Sequence, residues 1–504
     1  MKRLLLAFIV AIPSIARADL ADDRTSLREA VSMTKGLKPY ESWVKMMEKV
    51  GEAQGRCGDR DAAHQTFSVV IDAVVGINDP QMTWQFWAIL AESQARAGLA
   101  DDVRRSVDQF RKAPKIFGKT LSQDKNAGAE RFITHELLYA LIKIEDYPAG
   151  RDLARSLSLD NTDATDKEKA DAKRWVESSL AEIDYAETMK HIVKGDPEAR
   201  KRAIATFLER AKAADKPAAA DKAYSDLSAA QAKAGDIAGA KSSADRIAGQ
   251  ARNFSPRAVS LLVIAALQNE SGDRAGAAET ARAALKLTRA VKVTSPRKYQ
   301  PYLSFPENSI AESIGVIAEV ESPEVALKLV DELDGPMAKL QAWLAIAKLL
   351  ADRKDLDAAR ALCDQAEKIV PDIDDPIART GEMNEVLLTR IRLRLTADPE
   401  AAIKAISPKR RDGARVSLMM NMAREGDCAK ALKAASTIES TFMKDYYPSL
   451  IAKTATEGGH ADKILQLARV AKTDKERCQL LEGLADGIIH RLDGSERKAR
   501  KLQP

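Results

Sequence analysis

One phrase recurs along the chain and sets most of what it can fold into. It is an apolar stretch with helical spacing, a short Gly-Asp-like turn, and a second helical stretch with alanines on one face. Five copies are plain: residues 53–63 (AQGRCGDRDAA), 93–103 (SQARAGLADDV), 230–240 (AQAKAGDIAGA), 267–277 (LQNESGDRAGA) and 420–431 (MNMAREGDCAKA). Weaker turns fall at Glu145-Asp146, Gly195-Asp196, Ser322-Pro323, Lys354-Asp355, Asp398-Pro399 and Gly458-Gly459. From Gly58 to Gly458 the turns recur about every 40 residues, with single intervals between 28 and 50.

Within a copy the apolar spacing is helical. Trp343, Ile346, Ala347 and Leu350 fall at i, i+3, i+4 and i+7, and Leu356, Ala359, Cys363, Ala366 and Val370 repeat the stripe on the next segment. A helix with one apolar stripe cannot bury it alone; covering each hairpin with the next gives a continuous core. The expected fold is therefore all-α, an α-solenoid of stacked antiparallel helical hairpins. Composition agrees: hydrophobic residues make up 45% of the chain but aromatics only 5%, so alanine must do much of the packing and the residues that favour strands are sparse. Helix starts are marked at Asp196-Pro197, Ser322-Pro323 and Asp398-Pro399, where a capping side chain precedes a proline, and Ser309 with Glu312 reads as a capping box.

The segment from Leu340 to Pro371 resembles the tetratricopeptide repeat family. Trp343 matches its early aromatic, Ala347 its small helix-crossing residue, and Ala359, Ala366 and Pro371 its second-helix small positions and closing proline. Leu350 stands where that family has a tyrosine and Cys363 where it has an aromatic. Leu261, Ile264, Ala265, Ala277, Ala284 and Leu285 fit again around Gly272, with Gln268 at the tyrosine position. The resemblance implies binding of a partner, usually along the inner surface of a superhelix; separately, no cofactor is expected. Intervals of 40 to 50 residues depart from the family's strict repeat length.

The chain's front reads as a secretory signal over residues 1–18: Lys2 and Arg3, an apolar run from Leu4 to Ile12, then Ala16-Arg17-Ala18 before Asp19. The apolar run is about half of the roughly 20 residues a membrane span needs. Cleavage after Ala18 would remove three basic residues and no acid, lowering the formal charge from +5 to +2. Neither value points to nucleic acid, and the basic cluster Arg497, Lys498, Arg500 and Lys501 reads as the solvated end of a tail over residues 491–504. An exported, periplasmic or secreted protein with no membrane span is expected. Cys57, Cys363, Cys428 and Cys478 are too far apart for a metal or redox motif and read as small core residues.

Two stretches interrupt the pattern. Residues 158–171 (SLDNTDATDKEKAD) lack the glycine and terminal glutamate of a calcium loop, and Thr165 with Glu168 reads as a capped helix start. Residues 291–308 (VKVTSPRKYQPYLSFPEN) carry three prolines and three aromatic rings, so a Pro/aromatic loop is expected there, dividing the array into segments 19–290 and 309–490.

No arrangement of residues points to catalysis. The five histidines, His64, His135, His191, His460 and His490, are far apart, and no zinc-peptidase, nucleophile-elbow, phosphate-loop or dinucleotide motif occurs. No catalytic, cofactor-binding or metal residue is assigned. Gln54, Gln94, Gln231 and Gln268 each stand four residues before a turn glycine. They read either as a ladder of amides offered to a ligand or, preferably, as side chains satisfying nearby backbone carbonyls at helix ends. The expected function is a non-catalytic exported scaffold that binds a protein partner. The alternative is a carbohydrate or cell-wall binding module using rings such as Trp84, Trp87 or Tyr299; an enzyme on a helical scaffold would need a pocket of convergent acids.

Overall fold

A computed structural model describes residues 20–34, 37, 41–76, 80–112, 127–156, 166–214, 216–248, 255–291, 306–439 and 446–501. The expected signal (1–18), most of the Pro/aromatic loop with Tyr299, and Thr165 lie outside them. Among the described residues all regular structure is helical, with no strand. Two compact units form: Met1–Glu187 with Met422–Ser495, and Thr188–Asn421 with Glu496–Pro504.

The first unit opens with α1 (residues 20–32), α2 (Glu41–Arg56), α3 (Arg60–Val75), α4 (Pro80–Arg96), α5 (Ala100–Lys112), α6 (Ala127–Lys143), α7 (Tyr147–Ser156) and α8 (Asp166–Lys194), inside which the boundary falls. Helices pair as hairpins α2·α3, α4·α5 and α6·α7, and the first helices pack on one another as α2·α4 and α4·α6. The second unit holds α9 (Pro197–Lys212), α10 (Pro217–Lys233), α11 (Ile237–Asp245), α12 (Pro256–Glu270), α13 (Arg274–Arg289), α14 (Pro306–Val320), α15 (Pro323–Asp331), α16 (Pro336–Asp352), α17 (Leu356–Ile369), α18 (Pro376–Arg392), α19 (Pro399–Ala405) and most of α20 (Pro408–Arg424). Its hairpins α10·α11, α12·α13 and α16·α17 likewise touch through first helices, α10·α12, α12·α14, α14·α16 and α16·α18. The chain then returns to the first unit with α21 (Cys428–Ser436), α22 (Tyr447–Glu457), α23 (Ala461–Arg469) and α24 (Asp474–Lys501).

Small residues sit where the stripes place them. Ala347, Ala359, Cys363 and Ala366 have no exposed surface, and such small side chains let α16 and α17 approach closely where they meet. They join a core that runs from Ala265 and Ala281 through Ile314 and Leu340 to Val386. Trp343 is only partly buried against that core. All four cysteines are free and buried, and burial pushes the Cys57 thiol up to about 12 and those of Cys363 and Cys478 to about 11. Thiols so far from ionisation are poor nucleophiles.

Nine of the described turns share one chemistry: the helix ends with a left-handed residue followed by a hydrogen bond from the next N–H back to the carbonyl five residues earlier, as Asp273 N to Gln268 O and Asp355 N to Leu350 O, both 2.9 Å. Gly58, Gly98, Gly235, Gly272, Gly426 and Gly459 supply the left-handed position, but Glu145, Lys354 and Arg394 occupy it elsewhere. Arg394 moves that turn ahead of the expected Asp398-Pro399, which instead caps α19, Asp398 accepting from Ala401 N at 3.0 Å. Asp196 and Ser322 cap α9 and α15 in the same way.

Three expectations are corrected. Ser309 is no helix cap: α14 begins at Pro306, so Ser309 is an interior residue with 4% exposure, and its carbonyl accepts from the Ser313 hydroxyl at 2.7 Å. Residues 291–308 do not coincide with a unit boundary: α13 packs directly on α14, and the units divide at 187/188, 421/422 and 495/496. The tail expected from Arg491 is a continuation of α24 to Lys501; Arg491 pairs with Asp23 and Asp493 with Arg56. With Arg469 on Glu29, these ion pairs tie the last two helices of the chain to its first two. Among the described residues no helix is long and apolar enough to cross a membrane.

Candidate functional site

The four glutamines form no ladder, nor do their side chains serve carbonyls. Each is buried, and its side-chain oxygen accepts a hydrogen bond from a hydroxyl twelve residues later on the second helix of its hairpin: Thr66 to Gln54 (2.7 Å), Ser106 to Gln94 (2.8 Å), Ser243 to Gln231 (2.6 Å) and Thr280 to Gln268 (2.7 Å). A signal for this was present, since a serine or threonine follows each glutamine at that spacing.

The expected aromatic platform loses Trp87, which is 2% exposed and belongs to the core; the Trp84 side chain and Tyr299 lie outside the described residues. The histidines are not brought together. His64 meets Asp102 (2.9 Å), His135 meets Glu182 (3.4 Å) and His490 meets Glu457 (3.1 Å), each on a different helix. Among the described residues no group of three metal-ligating side chains converges.

What does converge is a set of charges on first helices of the first unit. A spacing of three or four residues places Glu48, Lys49 and Glu52 on one side of α2, and Glu92, Ser93 and Arg96 on one side of α4. Because α2 packs on α4, these sides meet. Glu48 and Glu52 are 4% and 2% exposed, yet both are satisfied: Ser93 Oγ donates to Glu48, and lies 3.4 Å from Glu52 Oε2. Lys49 Nζ is 3.7 Å from Glu48 and 3.5 Å from Glu52, Arg96 is 3.7 Å from Glu52, and Arg96 also pairs with Glu92. Helix α24 adds Asp486, 4.0 Å from Lys49, with Glu482 one turn before it. Glu136 and Lys143 extend the face along α6.

Burial dominates the electrostatics. It pushes the Glu48 carboxyl up to about 7, against the pull of Lys49 and the Ser93 hydrogen bond and with the repulsion of Glu52 and Glu482. Burial opposes the charge on Lys49, but Glu48, Glu52 and Asp486 outweigh it and raise the lysine. Glu136 is raised by burial and by Glu92, Glu482 by burial and Asp486, and Tyr446 by burial and both α24 acids. Lys143 is lowered by burial and Arg96. Since the folded pKa of Glu48 lies above its usual 4.5, its ionisation opposes folding: stability from this group is full below about pH 4.5 and is lost as pH rises through 7. The pH dependence of unfolding in Glu48→Gln, compared with the parent, reads that loss directly.

The face thus offers partly exposed Lys49, Glu92, Arg96, Glu136 and Asp486 above a buried, hydrogen-bonded floor. Such a surface can bind a polar or charged segment with little rearrangement. Local sequence patterns did not reveal it, because each residue looks like ordinary helix surface and α24 comes from the far end of the chain. No family model matches this chain, and no curated protein is similar enough to count as a relative.

Proposed function

We propose that this chain is an exported scaffold of stacked tetratricopeptide-like hairpins that holds a protein partner on the α2, α4, α6 and α24 face. The observation that carries the reading is the convergence of Lys49, Glu92, Arg96, Glu136 and Asp486 from four helices onto one surface, supported by buried Glu48, Glu52 and Ser93 beneath. Charges prearranged by Ser93 and Glu48 lose little freedom when a partner docks, which favours selective recognition over general stickiness. The histidine pairs, the inert thiols and the glutamine–hydroxyl clamps are accounted for by helix packing.

Crosslinking mass spectrometry of the chain lacking residues 1–18, in a native envelope fraction, tests it. Lys45, Lys49 and Lys143 are the reporters. Reproducible links from them to one protein, lost in Arg96→Glu, are expected; links confined to the chain itself, or links that Arg96→Glu leaves in place, would overturn the assignment.

A further inference from the structure

Within the first unit, the earliest and latest helices repeat the hairpin pattern with one piece missing. Helix α24 lies as a first helix does. Asp486 is 4.0 Å from Lys49 and Asp493 pairs with Arg56, both pairs 437 positions apart, so α24 runs parallel to α2 in constant register. It also runs parallel to α22, so closely that a Cβ at Gly483 or Gly487 would lie 2.1 Å from Ser449 O or 2.6 Å from Lys453 O.

Helix α1 lies as a second helix does. Its buried residues Asp23, Leu27 and Ala30 are spaced like Ala63, Phe67 and Val70 of α3. In that alignment Leu20, which opens α1, matches Arg60, which opens α3, and Arg24 matches His64. His64, Arg104 and Arg360 stand ten residues after Gln54, Gln94 and Leu350, and each reaches the next hairpin: His64 meets Asp102 (2.9 Å), Arg104 meets Asp146 (2.7 Å) and Arg360 donates to Leu395 O (3.4 Å). Arg24 does the same from α1, its Nε donating to Cys57 O at 2.9 Å.

What α1 lacks is a turn. Cys57, Gly58 and Asp59 join α2 to α3, whereas α1 meets α24 only through space, by Asp23 on Arg491, and meets α23 by Glu29 on Arg469. A short turn keeps two helices at high effective concentration, which contacts alone do not. The Arg469 and Glu29 side chains are 57% and 31% exposed, so salt weakens that pair.

We propose that α24 and α1 are the two halves of one hairpin, and that their junction is a salt-sensitive clasp at which this unit opens first. Opening the clasp uncovers Cys57 and separates Asp486 from Lys49 on the charged face. Cys57 is the natural reporter: it is 2% exposed, and the charges acting on its thiol are Asp23, Arg24, Arg491 and Arg56.

The test is thiol alkylation of the chain lacking residues 1–18, read at each cysteine by mass spectrometry. Cys428 in the same unit and Cys363 in the other serve as references. Asp23→Asn, which strands Arg491, should speed alkylation of Cys57 at least about tenfold and leave both references unchanged. Glu29→Arg should speed it about threefold, and adding Arg469→Glu should recover that loss. Raising salt from about 0.05 to about 0.5 M should also speed Cys57 alone. Acceleration shared equally by Cys428, or none at Cys57 in Asp23→Asn, would overturn the proposal. A hairpin further requires that a turn fit. Joining Ser495 directly to Asp19, without residues 496–504, leaves Gly494, Ser495 and Asp19 between the helices, as many residues as join α2 to α3. In chains opened between α5 and α6, that direct join should slow Cys57 alkylation roughly tenfold relative to a join through about twenty Gly/Ser residues. A direct join that protects Cys57 no better than the long one would equally overturn the proposal.

Discussion

Hairpins α12–α13 and α16–α17 solve one packing problem with opposite chemistry. In the first, Gln268 and Thr280 meet across the interface, and Gln268 Nε2 also donates to Asp273 Oδ2 at 2.7 Å while Asp273 caps α13 through Gly276 N at 2.9 Å. In the second, Leu350 and Leu362 hold the matching positions, Asp355 caps through Ala358 N at 3.2 Å, and Lys354 replaces Gly272 at the left-handed turn. The glycine–alanine difference has a geometric cause: a Cβ at residue 276 would lie 2.2 Å from Gln268 Nε2. Gly239 stands over Gln231 in the same way, and Leu141, Ala149 and Leu153 repeat the apolar version. In α10–α11 and α12–α13 the buried amide, its hydroxyl and a bare backbone above it occur together, and in α16–α17 amide, hydroxyl and glycine are replaced together while Asp355 is kept; Gln54 and Gln94 keep the hydroxyl partner but have Ala62 and Asp102 at the glycine position.

If that is correct, mixing the sets is what hurts. Hydrogen exchange of the amides in each hairpin reads the effects locally, which suits a chain of two units better than a single unfolding midpoint. The largest loss is expected for Leu350→Gln, about 3 kcal/mol, because the amide oxygen would meet Leu362 with no hydroxyl to accept from, and the Ala358 methyl would stand between its nitrogen and Asp355. A neutral outcome would dissolve the distinction between the hairpins. Thr280→Val, which keeps the shape and removes the hydroxyl, should cost about 2 kcal/mol by stranding the Gln268 oxygen. Adding Gln268→Leu should recover most of that, and additive losses in the double variant would show that the pair is not a unit.

Gly276→Ala sharpens the comparison by changing sign. It should destabilise the parent by about 1 kcal/mol by pushing Gln268 off Asp273, yet stabilise the Gln268→Leu/Thr280→Val background by up to about 1 kcal/mol through helix propensity. The same sign in both backgrounds would refute the steric account. The smallest effect concerns the turn. Lys354→Gly should gain somewhat under 1 kcal/mol by relieving a left-handed side chain, and Gly272→Lys should lose a similar amount.

Much of this was legible in the chain itself, and the failures share a cause. Helical periodicity located α16 and α17 and their buried faces, because the stripe at Leu340 to Val370 depends only on neighbours three and four residues away. The glutamines were found but misread, since their partners lie one helix further on and only a folded hairpin makes twelve residues a contact distance. Ser309 misled because a capping box is a local pattern that Pro306, three residues earlier, had already pre-empted. Glu48, Glu52 and Arg96 drew no attention: as a string they are a solvated helix face, and only the packing of α2 on α4 removes them from water.

The spacing of apolar and small residues, the turn glycines and aspartates, and the proline helix starts determined by themselves that this protein is helical and built of hairpins, because those choices are made by hydrogen bonds and sterics within a few residues. Which faces meet was decided by the tertiary structure alone. Placing α24 beside α2, burying Glu48 beneath Lys49 and pairing Asp23 with Arg491 depend on contacts between residues tens to hundreds of positions apart, and the energy of a charge is set by what surrounds it in space, not by what adjoins it in the chain.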